Sequence, residues 1–348
     1  MRRGILSLAL LCMGAGCNTG ANNQAAESPL KQEPADLLAG QVTAVAYSGF
    51  RDGQHPDRGD GAVLPSDEEI LEDLRILGRD GNFKLIRLYD SNRNSRDVLR
   101  IIRQHDLAFK VMLGVWLNAE ISNHEGCPWL DEPIPQAELD ANKLTNKAEV
   151  AQAIELATAY RDIVVAVNVG NECLVDWNDH MVPVETVIEY VKQVKAAIEQ
   201  PVTVADNYKW WATEGAALAR ELDFIGLHVY PVWEGKDIDE GMSYTIANVE
   251  EVKAALPTAK IVITEAGWAS EASEFGERAG EEKQKRYTEE MLAWAAVMNI
   301  TTFIFEAFDE NWKGNPDNPL GAEKHWGMFT ADRKAKLVMQ EKYPDLAP

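Results

Sequence analysis

A (β/α)8 barrel is the fold class this sequence predicts, and three observations predict it. Hydrophobic runs of strand length recur eight times, helix-length amphipathic segments separate them, and polar or aromatic residues follow nearly every run. The runs occupy residues 42–47, 83–89, 109–116, 163–169, 202–205, 224–229, 260–264 and 302–305. Between them lie amphipathic stretches at 68–77, 96–105, 147–160, 184–198 and 282–298. Near-continuous apolar strands alternating with helices describe a parallel sheet covered by helices. A closed barrel needs about 250 residues plus loop insertions, which residues 41–348 supply as one domain. A doubly wound open sheet is the competing architecture, but no Gly-rich phosphate loop follows the first strand.

Taken in order, the elements predict where chemistry collects. The first run ends at Tyr47, and the helix after it has Ser66 as N-cap with Glu69 as capping-box partner. The second run delivers Arg87, Tyr89 and Asp90, and the third Trp116. The fourth ends in Asn171 and Glu172, the fifth in Asp206 and Asn207, the sixth in His228 and Tyr230. Glu265 follows the seventh, and Glu306, Asp309 and Glu310 the eighth. In a barrel all these carboxyl ends share one face, where functional residues gather.

Two segments carry the most chemistry: Asn168-Val169-Gly170-Asn171-Glu172 and Ile263-Thr264-Glu265-Ala266-Gly267-Trp268. Each ends an apolar run with a carboxylate at a strand-to-loop transition. Paired carboxyl groups across one cleft are what cleavage of a glycosidic bond requires, one as proton donor and one at the anomeric carbon. A solvated strand end explains either glutamate alone; the pattern that holds both does not reduce to that. Of the 10 tryptophans, only Trp294 falls in a predicted helix core, and the others follow strands. About half of these are expected to pack and the rest to line a sugar groove.

These residues resemble glycoside hydrolase family 17, the β-1,3-glucanase type within the clan of retaining barrel glycosidases. The resemblance runs from Tyr47 to about Phe329. It rests on Ile86-Arg87-Leu88-Tyr89, Val169-Gly170-Asn171-Glu172, Thr264-Glu265-Ala266-Gly267-Trp268, the stretch from Phe305 to Lys313, and Glu323 through Phe329. It implies Glu172 as general acid/base and Glu265 as nucleophile, in a retaining mechanism with carboxyl groups roughly 5–5.5 Å apart. Tyr47, Arg87, Tyr89, Asn171, Asn207, His228, Tyr230 and Trp268 are the expected substrate contacts. Glu306, Glu310, Lys313 and Glu323 would join the same hydrogen-bond network. Phe50-Arg51-Asp52-Gly53-Gln54 and His228-Val229-Tyr230-Pro231 look more like the bacterial branch than the plant one. A laminarin-type β-1,3-glucan is the implied substrate. A glucanosyltransferase using the same covalent intermediate, or a glycan-binding surface lipoprotein without activity, fits the same residues.

The amino terminus reads as an export signal, with Met1-Arg2-Arg3, an apolar 5–13 and small residues leading to Cys17. Gly14-Ala15-Gly16-Cys17 resembles a bacterial lipoprotein cleavage box, with Gly14 where leucine is usual, and implies lipidation at Cys17. Residues 18–40 read as a flexible tether. The expected protein is therefore an exported, membrane-anchored monomer. Cys127 and Cys173 fall in neighbouring rim loops, where either a disulfide or two buried thiols is possible outside the cytoplasm. A net charge of −22 opposes binding to nucleic acid or anionic membranes. The six histidines have no metal-ligand spacing, and Asp52, Asp57 and Asp60 lack EF-hand order. No metal or other cofactor is expected.

Overall fold

A computed structural model describes residues 28–57 and 60–348. Eight parallel strands close in sequence order into one barrel. They are β1 (Thr43–Ala46), β2 (Leu85–Arg87), β3 (Lys110–Val115), β4 (Val164–Asn171), β5 (Val202–Asn207), β6 (Ile225–Val229), β7 (Ile261–Ala266) and β8 (Thr302–Ile304). Pairing of Thr43 with Thr302 and of Val45 with Ile304 seals the ring. The open-sheet alternative is thereby excluded.

The helices follow the predicted stretches with instructive departures. α1 (Asp67–Gly78) begins at the expected capping box: Ser66 Oγ accepts from Glu69 N, and Glu69 Oε2 accepts from Ser66 N. α2 (Arg93–Gln104) also matches. α3 (Gln136–Ala159) starts at Gln136 rather than 147, with a largely polar first half whose buried residues are Leu139 and Asn146. α4 (Val184–Ala197) is as expected. α5 (Tyr208–Thr213) and α6 (Ala216–Ala219) fill the short β5–β6 crossover. α7 (Ile238–Ala255) was not among the predicted stretches, and α8 (Glu281–Met298) was. A short α9 (Leu337–Gln340) packs beside α8.

The core has two layers of apolar contact. One lies between the sheet and the helices; the other fills the lower barrel with Ala44, Leu85, Met112, Ala166, Phe224, Val262 and Phe303. Leu38 joins this second cluster from outside the strands. That corrects the flexible-tether expectation over its described part, residues 28–40. Gln32 Nε2 donates to Ile261 O at 2.9 Å, and Gln32 Oε1 accepts from Ile261 N at 2.7 Å. Leu38 N donates to Thr301 Oγ1 at 2.9 Å. The polar composition suggested disorder, but the barrel's lower mouth offers backbone groups and apolar surface that this segment covers. The export signal, Cys17 and the earlier tether residues lie outside the described residues.

The disulfide is not formed: Cys127 and Cys173 are both buried free thiols. Cys173 Sγ turns under the β4 bulge, where a Cβ added to Gly170 would meet it at 2.6 Å. Cys127 is held in its own turn by a bond from its N–H to Asn123 O.

Docking of the amino-terminal segment has a direct check. Replacing Leu38 with Ala removes the side chain that plugs the lower barrel. We expect a loss of about 2–5 kcal/mol in denaturant unfolding; an unchanged midpoint would show that the segment contributes nothing.

Candidate active site

β4 and β7 each break register just before their glutamate. Opposite β5, Asn168 pairs Thr203 but Asn171 pairs Ala205, so β4 carries an extra residue. Opposite β6, Leu227 pairs Ile263 while His228 pairs Glu265, which leaves Thr264 as the extra residue of β7. Bulges of this kind re-aim side chains at functional sites. In β4 the extra residue is accommodated by Gly170 at φ +90°, and Glu172 itself sits left-handed at φ +47°. Such a backbone costs of order 1–3 kcal/mol for a residue with a side chain and persists only when its surroundings hold it. Glu172 N donates to Ala205 O at 2.9 Å, and Asn178 Nδ2 donates to Glu172 O at 3.2 Å.

Arg87, fully buried at the end of β2, ties the two segments together. Its Nη1 donates to Glu265 Oε1 at 2.7 Å and to Thr264 O at 3.0 Å, and its Nη2 donates to Asn171 Oδ1. His228 stands between the glutamates, with Nδ1 2.9 Å from Glu172 Oε1 and Nε2 3.5 Å from Glu265 Oε1. One imidazole ring therefore touches both carboxylates. Asn171 O meets His180 Nε2 at 2.8 Å, and the His180 ring lies 4.5 Å from that of Trp116.

Glu265 also accepts from Tyr230 OH at 2.5 Å and from Tyr89 OH at 3.0 Å. Burial alone would raise its pKa, but the charges of His228 and Arg87 and these two hydroxyls outweigh it. The carboxyl thus sits below the usual glutamate range. Glu172 is more open, with 24 % of its side chain exposed. One carboxylate is ionised inside a cage of donors; the other is partly open to solvent.

Beyond this pair lies a second group of charges from the β8 loop. Lys313 Nζ is 2.6 Å from Glu306 Oε2 and 2.7 Å from Glu310 Oε2. Burial raises the Glu306 pKa far above normal; Lys313 opposes this and Glu310 reinforces it. Burial would favour a neutral Lys313, but Glu306 and Glu310 hold it protonated. Glu323 is pushed up to about 7 by desolvation, with the charges of Glu172 and Glu265 adding to the shift against Lys313.

Two expected substrate contacts lie elsewhere. Tyr47 is buried, its hydroxyl donating to Asp73 Oδ2 at 3.2 Å behind β1. The buried Asp73 is in turn gripped by Arg333 through two bonds of 2.6 and 2.7 Å, so Tyr47 serves that ion network. Trp268 is fully buried, its ring against Tyr287 of α8 and its Nε1 donating to Arg278 O at 2.8 Å. A position just after a strand does not say which way a side chain turns. Asn207 stands on the rim, but its side chain caps α5 by accepting from Lys209 N.

Of the rim tryptophans, Trp210, Trp211, Trp268 and Trp326 are buried, whereas Trp129, Trp177 and Trp233 are exposed. The sequence did not assign an aromatic wall in which Trp326 packs on Tyr230, Phe305 and Phe275. Phe275 lay outside every predicted element, so nothing in the sequence marked it.

The family model of the BtgE/BtgC glycoside hydrolase domain matches residues 44–327, and the chain belongs to that family of glycoside hydrolases. A relative from Arthroderma benhamiae named glucan 1,3-beta-glucosidase is 28% identical over 247 residues, covering 66% of this chain and 71% of the relative. A protein of Aspergillus clavatus named probable glucan endo-1,3-beta-glucosidase btgC is 26% identical over 308 residues. That match takes in 81% of this chain but only 40% of the longer fungal protein. Among solved structures, an endo-laminarinase from Formosa Hel1_33_131 superimposes with a TM-score of 0.73 at 25% identity, covering 89% of this chain and 87% of that one.

Tyr230 tests the electrostatics of the donor cage. Its hydroxyl is one of the groups that lower the Glu265 pKa, so Tyr230→Phe removes stabilisation of the charged form only. The Glu265 titration, followed by carbon NMR of the carboxyl group, is expected to move to higher pH. A shift to lower pH, or none, would show that the cage does not act as described.

Proposed function

We propose that this chain hydrolyses β-1,3-glucan with retention of configuration, with Glu172 as general acid/base and Glu265 as nucleophile. One observation carries the reading: His228 contacts both carboxylates, while only Glu265 is surrounded by Arg87, Tyr89 and Tyr230. A carboxylate kept ionised by fixed donors is suited to attack the anomeric carbon. A partly exposed one beside it is suited to exchange protons with the leaving oxygen and then with water. Retention calls for carboxyl groups roughly 5–5.5 Å apart, and contact with one imidazole brings both carboxylates into the same side-chain cluster.

The steps follow from these positions. Glu172 gives its proton to the glycosidic oxygen as Glu265 forms a covalent bond to C1. Water then enters on the leaving-group side, Glu172 removes its proton, and Glu265 departs. Asn171, fixed by Arg87, is placed to hold a sugar hydroxyl next to Glu265. Glu306, Glu310, Lys313 and Glu323 supply further polar contacts along the cleft. The choice of β-1,3-glucan draws support from the names of the fungal relatives and of the endo-laminarinase. We further infer export, with an acyl chain on Cys17. Radiolabelled palmitate should enter the wild-type chain and not Cys17→Ser; equal labelling of both would exclude that anchor.

Laminari-oligosaccharide turnover tests the catalytic assignment. Glu265→Ala is expected to abolish it and any covalent glycosyl-enzyme. Glu172→Ala should lower kcat/KM by about 10²–10⁴-fold on these substrates, yet largely spare aryl glucosides with good leaving groups. Normal turnover in either variant would refute its role, and products of inverted configuration would refute the double displacement. Products longer than the substrate would reassign the chain as a glucanosyltransferase. Binding without turnover would leave only a glycan-binding role.

A further inference from the structure

The mechanism leaves one buried carboxyl group at the site unused. Asp206, at the end of β5, has no solvent exposure. Its Oδ2 accepts from Leu174 N at 3.0 Å, and its Oδ1 accepts from Asn207 N at 2.7 Å. Leu174 lies two residues beyond Glu172. The residue before Asp206, Ala205, accepts from Glu172 N through its carbonyl. The end of β5 therefore grips the Glu172 turn on both sides of its left-handed residue.

We propose that Asp206 is a positioning residue for Glu172, its carboxyl group clamping the Leu174 N–H so that the strained turn aims the acid/base into the cleft. This rests on Glu172 being the acid/base. A left-handed glutamate does not hold itself. The bond to Ala205 O fixes the near side of the turn, Asn178 Nδ2 and Val182 N donate to the carbonyls of Glu172 and Cys173 beyond it, and Asp206 accepts from the Leu174 N–H. Without the Asp206 clamp the Leu174 N–H is left without its acceptor, and the segment from Glu172 to Leu174 can relax and shift the carboxyl group.

The chemistry of Asp206 suits that task. Burial and the charge of Glu172 push its pKa well above the usual aspartate range, and Glu265 adds to the effect. The shift is toward the uncharged form, and the two N–H groups that it accepts oppose that shift. A permanently charged anchor beneath Glu172 would oppose each ionisation of the acid/base; a neutral one does not. The Cys173 thiol, also buried, is driven up by desolvation and brings no charge.

The test compares Asp206→Ala and Asp206→Asn with Glu172→Ala on two substrates, laminari-oligosaccharides and an aryl β-glucoside whose phenolate leaves without protonation. A misplaced acid harms only the first. Asp206→Ala is expected to lower kcat/KM about 10²-fold on the oligosaccharide and by less than about 3-fold on the aryl glucoside. Asp206→Asn keeps one oxygen for Leu174 N–H but turns an amide NH2 toward Asn207 N–H, so it should recover part of the lost activity at a lower melting temperature than the wild type. Equal losses on both substrates, no loss on either, or an Asn variant as poor as the Ala variant would overturn the proposal. If Glu172→Ala itself fails to separate the two substrates, the acid/base assignment falls and this inference with it. If Glu172→Ala separates them and Asp206→Ala does not, the positioning role alone is wrong.

Discussion

A buried guanidinium with several partners is the interaction on which the rest of this site depends. Arg87 has no access to water, so a charged N–H group without an acceptor leaves a desolvation cost unmet. Its two terminal nitrogens find acceptors on two strands, Glu265 and Thr264 O on β7 and Asn171 on β4, while Nε has no partner among the described residues. The planar fork of arginine can hold two such directions at once, whereas an ammonium is a single point charge. The Arg87 guanidinium also lies 4.6 Å from the Tyr89 ring centre, which keeps the Tyr89 hydroxyl directed at Glu265. Distances among β2, β4 and β7 at the rim are therefore set by one side chain as much as by the strand ladder.

With His228, Arg87 also favours the charged form of Glu265. Glu172, Asp206, Glu265, Glu306 and Glu323 crowd one end of the barrel, and a weakly hydrated space cannot hold all of them ionised. Glu265, with Arg87, His228 and two tyrosine hydroxyls around it, keeps its charge. Asp206 and Glu306 are driven toward the neutral form by burial and by neighbouring carboxylates, and Glu323 is brought to about 7. Lys313 limits the shifts of Glu306 and Glu323 without reversing them. Negative charge is concentrated on Glu265 and withdrawn from the carboxyl groups around it.

The barrel and its paired glutamates were legible because hydrophobic period and strand spacing are properties of the sequence itself. All eight runs became strands, and the capping box at Ser66 set the start of α1. Side-chain direction was not legible. Tyr47 and Trp268 occupy strand-end positions like those of Tyr89 and Tyr230, yet one turns to Asp73 and the other to Tyr287. Those partners are distant in sequence, and only the packed fold identifies them. The segment before β1 was misread for a related reason. Its composition is that of a solvated linker, but the surface it covers is formed by the starts of β7 and β8, hundreds of residues away.

Local backbone geometry was the least visible feature, although the chemistry turns on it. In a regular strand, adjacent residues point to opposite faces, so Asn171 and Glu172 could not both serve one cleft. Both do: Asn171 reaches Arg87 and Glu172 reaches His228. Alternation has been broken by the bulge at Gly170 and by the left-handed turn at Glu172 itself. Gly170 is needed at φ +90°, and a side chain there would also strike the Cys173 sulfur and Leu117. The pair Asn-Glu is thus brought to one side by a backbone in which Gly170 and Glu172 both have positive φ. A rigid closed barrel can hold that conformation in place, because β5 supplies fixed acceptors to the turn from the neighbouring position in the ring.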